Sequence, residues 1–253
     1  MRPKLSIITA TYNCNDTISD CLSSLRSQQD VDFEHVVIDG QSVDGTQETL
    51  ISYSDQISIL LCESDDGLYD ALNKGIDLSK GEVLGFLHAD DVYSNSKVLS
   101  VISEMFDDPN VMAVYGDLLY VKKSDINCIT RRWISSKFTP SKLFDGWMPP
   151  HPALFLRRSL YDKYGLFDKR YRISADYDFI LRVFSQLNTE QVRYLPMVLV
   201  KMRTGGLSNR SLTNLLRKSW EDYQIIRKHR VGSVGTLLRK NLSKLSQFFY
   251  NSI

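Results

Sequence analysis

Gly81-Glu82-Val83-Leu84-Gly85-Phe86-Leu87-His88-Ala89-Asp90-Asp91 decides how the rest of the chain is read. Val83 to Leu87 is an apolar run long enough for a buried strand. It stops at a polar cluster that ends in two adjacent carboxylates. In an open α/β sheet, ligands bind outside the carboxyl ends of the strands. Asp90 and Asp91 at that edge would offer hard oxygen ligands to a divalent cation that also holds phosphate. The alternative is a solvated Asp-Asp turn leading into the next helix.

Working outward, the same unit recurs. Leu5 to Ala10 reads as a strand ending at Thr11-Tyr12-Asn13. Asn15 or Asp16 can cap a following helix, whose Ile18, Cys21, Leu22 and Leu25 recur at helical spacing. His35 to Ile38 is a second strand, closed by Asp39-Gly40, and Ser42 to Thr46 turns into a helix. Ile57 to Cys62 is a third, closed by Glu63-Ser64-Asp65-Asp66-Gly67, before a helix over 68–78. Strand and helix thus alternate four times, as in a parallel sheet with helices on both faces. The spacing places Asp39, Asp65 and Asp90 one per strand end, on one edge.

Beyond Asp91 the pattern predicts a helix over 97–106, strands over 111–115 and 118–122 about Gly116-Asp117, and an irregular stretch over 124–150. That stretch holds Trp133, Phe138, Phe144 and Trp147. It suits either a binding wall or an ordinary packed loop. A strand over 153–156 follows His151, with helices over 157–164 and 176–184 and a strand over 194–200. Two more helices, hinged about 231–235, fill 212–250. The cysteines, Cys14, Cys21, Cys62 and Cys128, match no zinc spacing and read as reduced thiols.

Hydrophobic residues make up 43% of the 253-residue chain and charged ones 24%, as in an ordinary globular chain. The net charge of +1 conceals an asymmetry. From Lys201 onward there are eleven Lys/Arg against two acids, net +9, so the first 200 residues carry −8. A basic tail on an acidic body implies an anionic partner. In the tail, Leu215, Leu216, Trp220, Tyr223, Ile226, Leu237, Leu238, Leu242, Leu245, Phe248 and Phe249 interleave with Arg217, Lys218, Arg227, Lys228, Arg239, Lys240 and Lys244. The tail is either a helix in a lipid headgroup region or one packed on the body or a second subunit. No groove-reading motif supports nucleic acid. No apolar run nears the roughly 20 residues of a membrane helix, and the start lacks a signal-peptide layout. A cytoplasmic protein is expected, free or at the inner face of the cytoplasmic membrane.

Seven motifs follow in order: Ala10-Thr11-Tyr12-Asn13, Asp39-Gly40-x-Ser42-x-Asp44-Gly45-Thr46, Glu63-x-Asp65-x-Gly67, Asp70-Ala71-x-Asn73-Lys74-Gly75, Ala89-Asp90-Asp91, His151-Pro152 and Asp176-Tyr177-Asp178. Together they resemble the inverting glycosyltransferase family 2, over roughly residues 4–210. The resemblance implies a GT-A fold: residues 1–210 as a catalytic domain, with a nucleotide-binding half (1–91) and an acceptor half (92–210), then a basic helical tail (211–253). It implies a nucleotide-sugar donor, usually UDP-linked, a Mn or Mg ion, and displacement with inversion. The acceptor it points to is a hydroxyl, such as that of a lipid-linked saccharide in bacterial surface polysaccharide synthesis.

Residue by residue, it assigns Thr11, Tyr12 and Asn13 to the base and ribose, Asp39 to a hydrogen bond from the base, and Asp65 to the nucleoside. Asp90, with Asp91 beside it, falls on the metal-binding acids, and Asp176 on the general base. Two departures stand out. His88 replaces a usual Asp or Asn, and either bonds the donor or is structural. Ala175 replaces a usual Glu, which leaves Asp176 as the acid in register.

His151 either contacts the diphosphate or acceptor or is a capped loop residue. Asp178 lies about 200° around the helix from Asp176 and reads as a support for Arg182. Arg203 and Gly205-Gly206 fall where the family carries a loop that closes over the donor. On the residues alone, Asp176 is equally a helix-start acid without chemistry. Two rivals remain. A nucleotidyltransferase would want a Gly-rich basic loop, and residues 9–16 hold neither Gly nor Lys. A non-catalytic nucleotide-sugar-binding or scaffold protein would share the fold.

Overall fold

The apolar runs that end in acids form one half of a single sheet. A computed structural model of the chain describes residues 4–205 and 212–243. Gly206, Lys244, Leu245, Phe248, Phe249 and the rest of the stretch to Tyr250 lie outside the described residues. The first half alternates β1 (Leu5–Thr11), α1 (Asn15–Arg26), β2 (Phe33–Asp39), α2 (Thr46–Ser52), β3 (Ile59–Cys62), α3 (Leu68–Leu78) and β4 (Val83–Phe86). The four strands pair in parallel in the order β3-β2-β1-β4. Their register sets Thr11 against Asp39, and Asp39 against Cys62, so the strand ends share one edge.

The second half extends the sheet. It contains β5 (Val92–Tyr93), α4 (Val98–Met105), β6 (Ala113–Lys122), β7 (Asp125–Trp133), β8 (Leu154–Arg157), α5 (Arg158–Tyr164), α6 (Ala175–Phe184) and β9 (Val192–Arg203). The order continues β4-β8-β6-β9-β5, with β7 beside β6. β8 runs antiparallel to β4 and β6, β5 to β9, and β7 to β6, while β9 is parallel to β6. The sheet is therefore mostly parallel, with helices on both faces. The last described elements are α7 (Leu212–Lys228) and α8 (Val234–Leu242).

Alternate strand residues point to opposite faces, which explains two buried clusters. Ile8, Val36 and Ile38 join side chains from α3, α5, α6 and α7. Ile7 and Val37 join those of α1, α2 and α4. Ile225, Ile226 and Val231 belong to the first cluster, so the tail packs on the body. Within it, Lys240 is buried with its ammonium 2.9 Å from Asp222 and 3.1 Å above the Tyr177 ring.

Two expectations fail here. The strands expected either side of Gly116-Asp117 are one strand, β6. Gly116 does not break it. A Cβ there would sit 2.6 Å from Leu199 Cγ and 2.7 Å from Met197 O, so the glycine lets β9 approach closely. The register slips between Tyr115 and Asp117 instead. The irregular stretch also begins as a strand, β7, which forms a hairpin with β6. Its residues are only partly buried, so no apolar alternation marks it.

Candidate active site

The edge at the ends of β1, β2 and β3 forms a cradle. Gly40 N donates to Thr11 O (2.9 Å), Asn13 N to Ser42 Oγ (2.9 Å), and Val43 N to Asn13 Oδ1 (2.9 Å). Asn13 has φ 47°, a left-handed conformation that Asn tolerates. The two turns are thereby interlaced, and Tyr12 is left 67% exposed. A Cβ on Gly40 would lie 2.7 Å from Asp65 Oδ2 and 3.2 Å from Tyr12 Cδ2. Gly40 thus lies between the Tyr12 ring and the Asp65 carboxylate, where a side chain would collide with both.

Asp39 is fully buried beneath it. Its Oδ1 accepts from Thr11 Oγ1 (2.8 Å) and Ser42 Oγ (2.6 Å). Its Oδ2 accepts from Ser42 N (2.9 Å), Gln47 Nε2 (3.2 Å) and Cys62 Sγ (3.4 Å). Burial alone would raise the carboxyl's pKa. The hydrogen bonds from Ser42, Thr11 and Cys62 outweigh it and leave the carboxyl below the ordinary range. The acid is therefore an anion that organises the turn. The sequence pattern did not single out Ser42 as its main partner.

A second group gathers past the end of β4. His88 and Asp90 are half-buried. The His88 ring lies 6.1 Å from that of His151, which stacks on Phe86 at 5.2 Å and meets Phe167 edge-on at 5.7 Å. Phe167 lies 5.5 Å from the Tyr69 ring. The Tyr69 hydroxyl stands 2.8 Å from Ile173 O and 3.2 Å from Asp176 Oδ1. An unbroken run of contacts therefore connects His88 to Asp176.

The charges agree with the contacts. Burial lowers the His88 pKa, while Asp90 and Asp176 push back. Burial lowers His151 to about 4, against the pull of Asp176. His151 is thus neutral near pH 7, and its buried Nε2 has no hydrogen-bond partner among the described residues. Such an orphaned nitrogen is costly unless a ligand or water meets it.

Asp91 departs from its expected place. It is fully buried; its Oδ1 accepts from Arg203 N (3.2 Å), and its Oδ2 has no partner among the described residues. Burial, with Asp90 beside it, raises its pKa well above the usual range. It cannot present an oxygen to the open edge, so the pair is not a twin set of cation ligands. Among the described residues no three His, Cys, Asp or Glu side chains form a preformed metal cage. The donor set fits a Mg or Mn ion all the same, because such ions take one or two carboxylates and complete their shell with water and substrate phosphates. Asp90 is the carboxylate in position.

Arg203 corrects a second expectation. It does not sit on a loop above the donor. Its side chain is buried behind the acids, with Nη1 donating to Asp90 O (2.9 Å), Nε to Lys123 O (3.1 Å) and Nη2 to Asp20. It pins the turn that presents Asp90.

Asp176 is the second residue of α6 and is half-buried. Its Oδ1 accepts from Tyr177 N at 2.8 Å. Asp178 points elsewhere, fully buried, and holds Arg182 (3.0 Å), Lys228 (2.8 Å) and His229 (2.8 Å). It supports Arg182, as the spacing implied, and also fastens α7 to α6.

Comparison with known proteins agrees with this layout. The profile described as "Glycosyl transferase family 2" matches residues 6–165. A PGL/p-HBAD biosynthesis glycosyltransferase of Mycobacterium bovis is 34% identical over 214 residues, covering 82% of this chain and 80% of that one. An uncharacterized glycosyltransferase of Rickettsia prowazekii is 27% identical over 232 residues, covering 88% and 70%. Among solved structures, S. aureus TarS 1-349 in complex with UDP-GlcNAc superposes with TM-score 0.72 at 19% identity, covering 90% of this chain and 66% of that one. The chain spans 64% of another crystallised TarS 1-349 chain. The mannosyltransferase PcManGT of Pyrobaculum calidifontis, in complex with GDP-Man and Mn2+, gives TM-score 0.67 at 17% identity, covering 100% and 77%. These last likenesses establish the GT-A fold.

Proposed function

The chain belongs to glycosyl transferase family 2, and from that premise we propose that it moves one sugar from a nucleoside-diphosphate donor, UDP-linked, to an acceptor hydroxyl with inversion. The observation that carries this is the run of contacts from His88 through His151, Phe167 and Tyr69 to Asp176. It links a half-buried carboxylate to the turn after β4, and the charge of Asp176 acts on both His88 and His151.

Tyr12 stacks on the base, and Asp65 holds the nucleoside over Gly40, with Thr11 and Asn13 fixing the turn. Asp39 is buried with both oxygens already accepting, so a base N–H would reach it only by displacing Gln47 or Cys62, its two longest contacts, from Oδ2. Asp90 is the residue that would hold a divalent cation, together with the donor phosphates. Such an ion, when bound, offsets the charge that develops on the leaving diphosphate. His88 and the orphaned Nε2 of His151 face the diphosphate or acceptor as neutral hydrogen-bonding groups. The acceptor oxygen attacks the anomeric carbon opposite the diphosphate. The bond to the diphosphate oxygen breaks with its electron pair, and the acceptor proton passes to Asp176. Base catalysis of this kind contributes about 100- to 10,000-fold.

The test is turnover with stereochemistry. UDP-glucose, UDP-N-acetylglucosamine and GDP-mannose are incubated with Mn2+ and a bacterial lipid extract, and the product is read by NMR. An anomeric configuration opposite to the donor's is expected. Retention overturns the mechanism, and a donor that binds while no acceptor is ever glycosylated points to a non-catalytic binding protein.

The acceptor we propose is a lipid-linked saccharide met at an anionic membrane surface. The inner face of α7 packs on the body, but Leu216, Trp220, Leu238 and Leu242 are at least 57% exposed. Arg217, Arg227 and Arg239 interleave with them. Each basic residue near an anionic leaflet is worth about 1 kcal/mol. An open surface depression lined by Arg170, Tyr171, Trp220, Tyr223 and Lys228, among others, adjoins the segment that leads to Asp176. No helix among the described residues is long and apolar enough to cross a membrane, so contact would be peripheral. The chain should co-sediment with phosphatidylglycerol vesicles and lose this in a Leu216→Ser, Trp220→Ser, Leu238→Ser variant. Equal sedimentation of both proteins would remove the membrane reading.

A further inference from the structure

The segment that carries Asp176 into α6 has an unusual anchor. Ser174 precedes the helix, yet its side chain makes no capping bond, and its buried Oγ has no partner among the described residues. The anchor comes from α7 and holds the amides just before the helix. Glu221 is 6% exposed. Its Oε1 accepts from Arg172 N (3.1 Å), and its Oε2 from Ile173 N (2.9 Å) and Ser174 N (3.0 Å). Three successive amides converging on one carboxylate form an anion-binding nest, here filled from within the chain. The hydroxyl of Tyr69 stands 2.8 Å from the carbonyl oxygen of Ile173.

The segment is therefore gripped from two sides, two residues before Asp176. α7 is itself held down by buried Ile225 and Ile226 and by the Asp222–Lys240 pair. Glu221 touches no reacting atom in this arrangement, and it lies beyond the residues that the family profile matches.

We infer that Glu221 is a positioning residue: the tail helix sets where the Asp176 carboxylate stands, and so the rate of the chemical step. This rests on Asp176 being the base. A base displaced by about 1 Å can lose on the order of 100-fold in rate, while the contacts of Gly40 and Asp65 among the described residues come from the turns after β1, β2 and β3 rather than from α7.

The experiment uses the full-length Glu221→Gln protein, with Glu221→Asp beside it. The first keeps the shape and one acceptor oxygen but loses the charge and the second acceptor. The second keeps the charge on a shorter arm. Three quantities are read: deuterium uptake of a peptide covering 172–176, and kcat and KM for UDP-N-acetylglucosamine or GDP-mannose, whichever the wild type consumes. Expected for Glu221→Gln are faster uptake, a kcat lowered about 10- to 100-fold, and a donor KM within about 2-fold of wild type. Glu221→Asp should recover part of the kcat.

Unchanged uptake, or a kcat that stays at the wild-type value while uptake rises, overturns the inference. A KM that rises with kcat intact does so too. If Glu221→Gln does not fold, Glu221→Asp alone decides, with slower turnover and faster uptake required. If the wild type consumes neither donor, faster uptake in Glu221→Gln supports the inference and unchanged uptake overturns it. An Asp176→Asn protein that remains active would instead overturn the base assignment itself.

Discussion

Asp176→Asn is expected to lower transfer by about 100- to 10,000-fold and to leave the donor dissociation constant within about 2-fold of wild type. The amide keeps the size of the side chain and an acceptor for Tyr177 N and the Tyr69 hydroxyl, so the local fold survives. What it loses is the capacity to take a proton from the acceptor. Asp176 belongs to α6, whereas the proposed nucleoside cradle is built from the turns after β1, β2 and β3. Binding and chemistry should therefore separate. Isothermal titration with the donor, set beside initial rates, checks both halves. A variant with normal turnover would make Asp176 only a helix-start acid.

Asp90→Asn is expected to cost at least about 100-fold in turnover and, unlike Asp176→Asn, to abolish the effect of Mn2+ on donor affinity. Arg203 holds this turn through the Asp90 carbonyl oxygen and the Asp91 carboxyl, so removing the Asp90 charge leaves the backbone in place. The loss would then be one of cation and phosphate binding rather than of folding. Asp91→Asn is the control. Its side chain is fully buried, and its bond from Arg203 N can persist. Donor affinity measured over a Mn2+ series separates the two. If Asp91→Asn erases the Mn2+ response while Asp90→Asn keeps it, the assignment of the two acids is reversed.

Much of the first half was legible in the sequence because two simple signals coincide there. α3 occupies the residues that helical spacing predicted, since Leu72, Ile76 and their neighbours fill one buried face. The runs Leu5 to Ala10 and His35 to Ile38 are apolar because both faces of those strands are covered. The acids at their ends follow from topology, as parallel strands deliver their carboxyl ends to one edge.

What was not legible depends on contacts between distant segments. β7 carries Asp125, Asn127, Arg131 and Arg132 and is half-exposed, so it lacks the alternation of a buried strand. The start of α1 was expected to be capped by Asn15 or Asp16; Cys14 precedes the helix instead, and its N–H donates to Thr46 Oγ1 across the turn. Nothing in Asp90-Asp91 shows which acid turns inward, because Arg203, far along the chain, decides it. Glu221 likewise reads as one more charge on a solvated helix face until the fold lays it beneath Ser174.

The melting temperature of the wild-type protein bears most directly on whether these strand ends make one donor site. It is measured with UDP-glucose, UDP-N-acetylglucosamine or GDP-mannose, with and without Mn2+. A ligand that binds only the native state raises its stability by mass action. At least one of these sugar nucleotides should raise the melting temperature, and by more when Mn2+ is present. If none of them shifts it with the metal present, the edge formed around Gly40, Asp65 and Asp90 is not a nucleotide-sugar site.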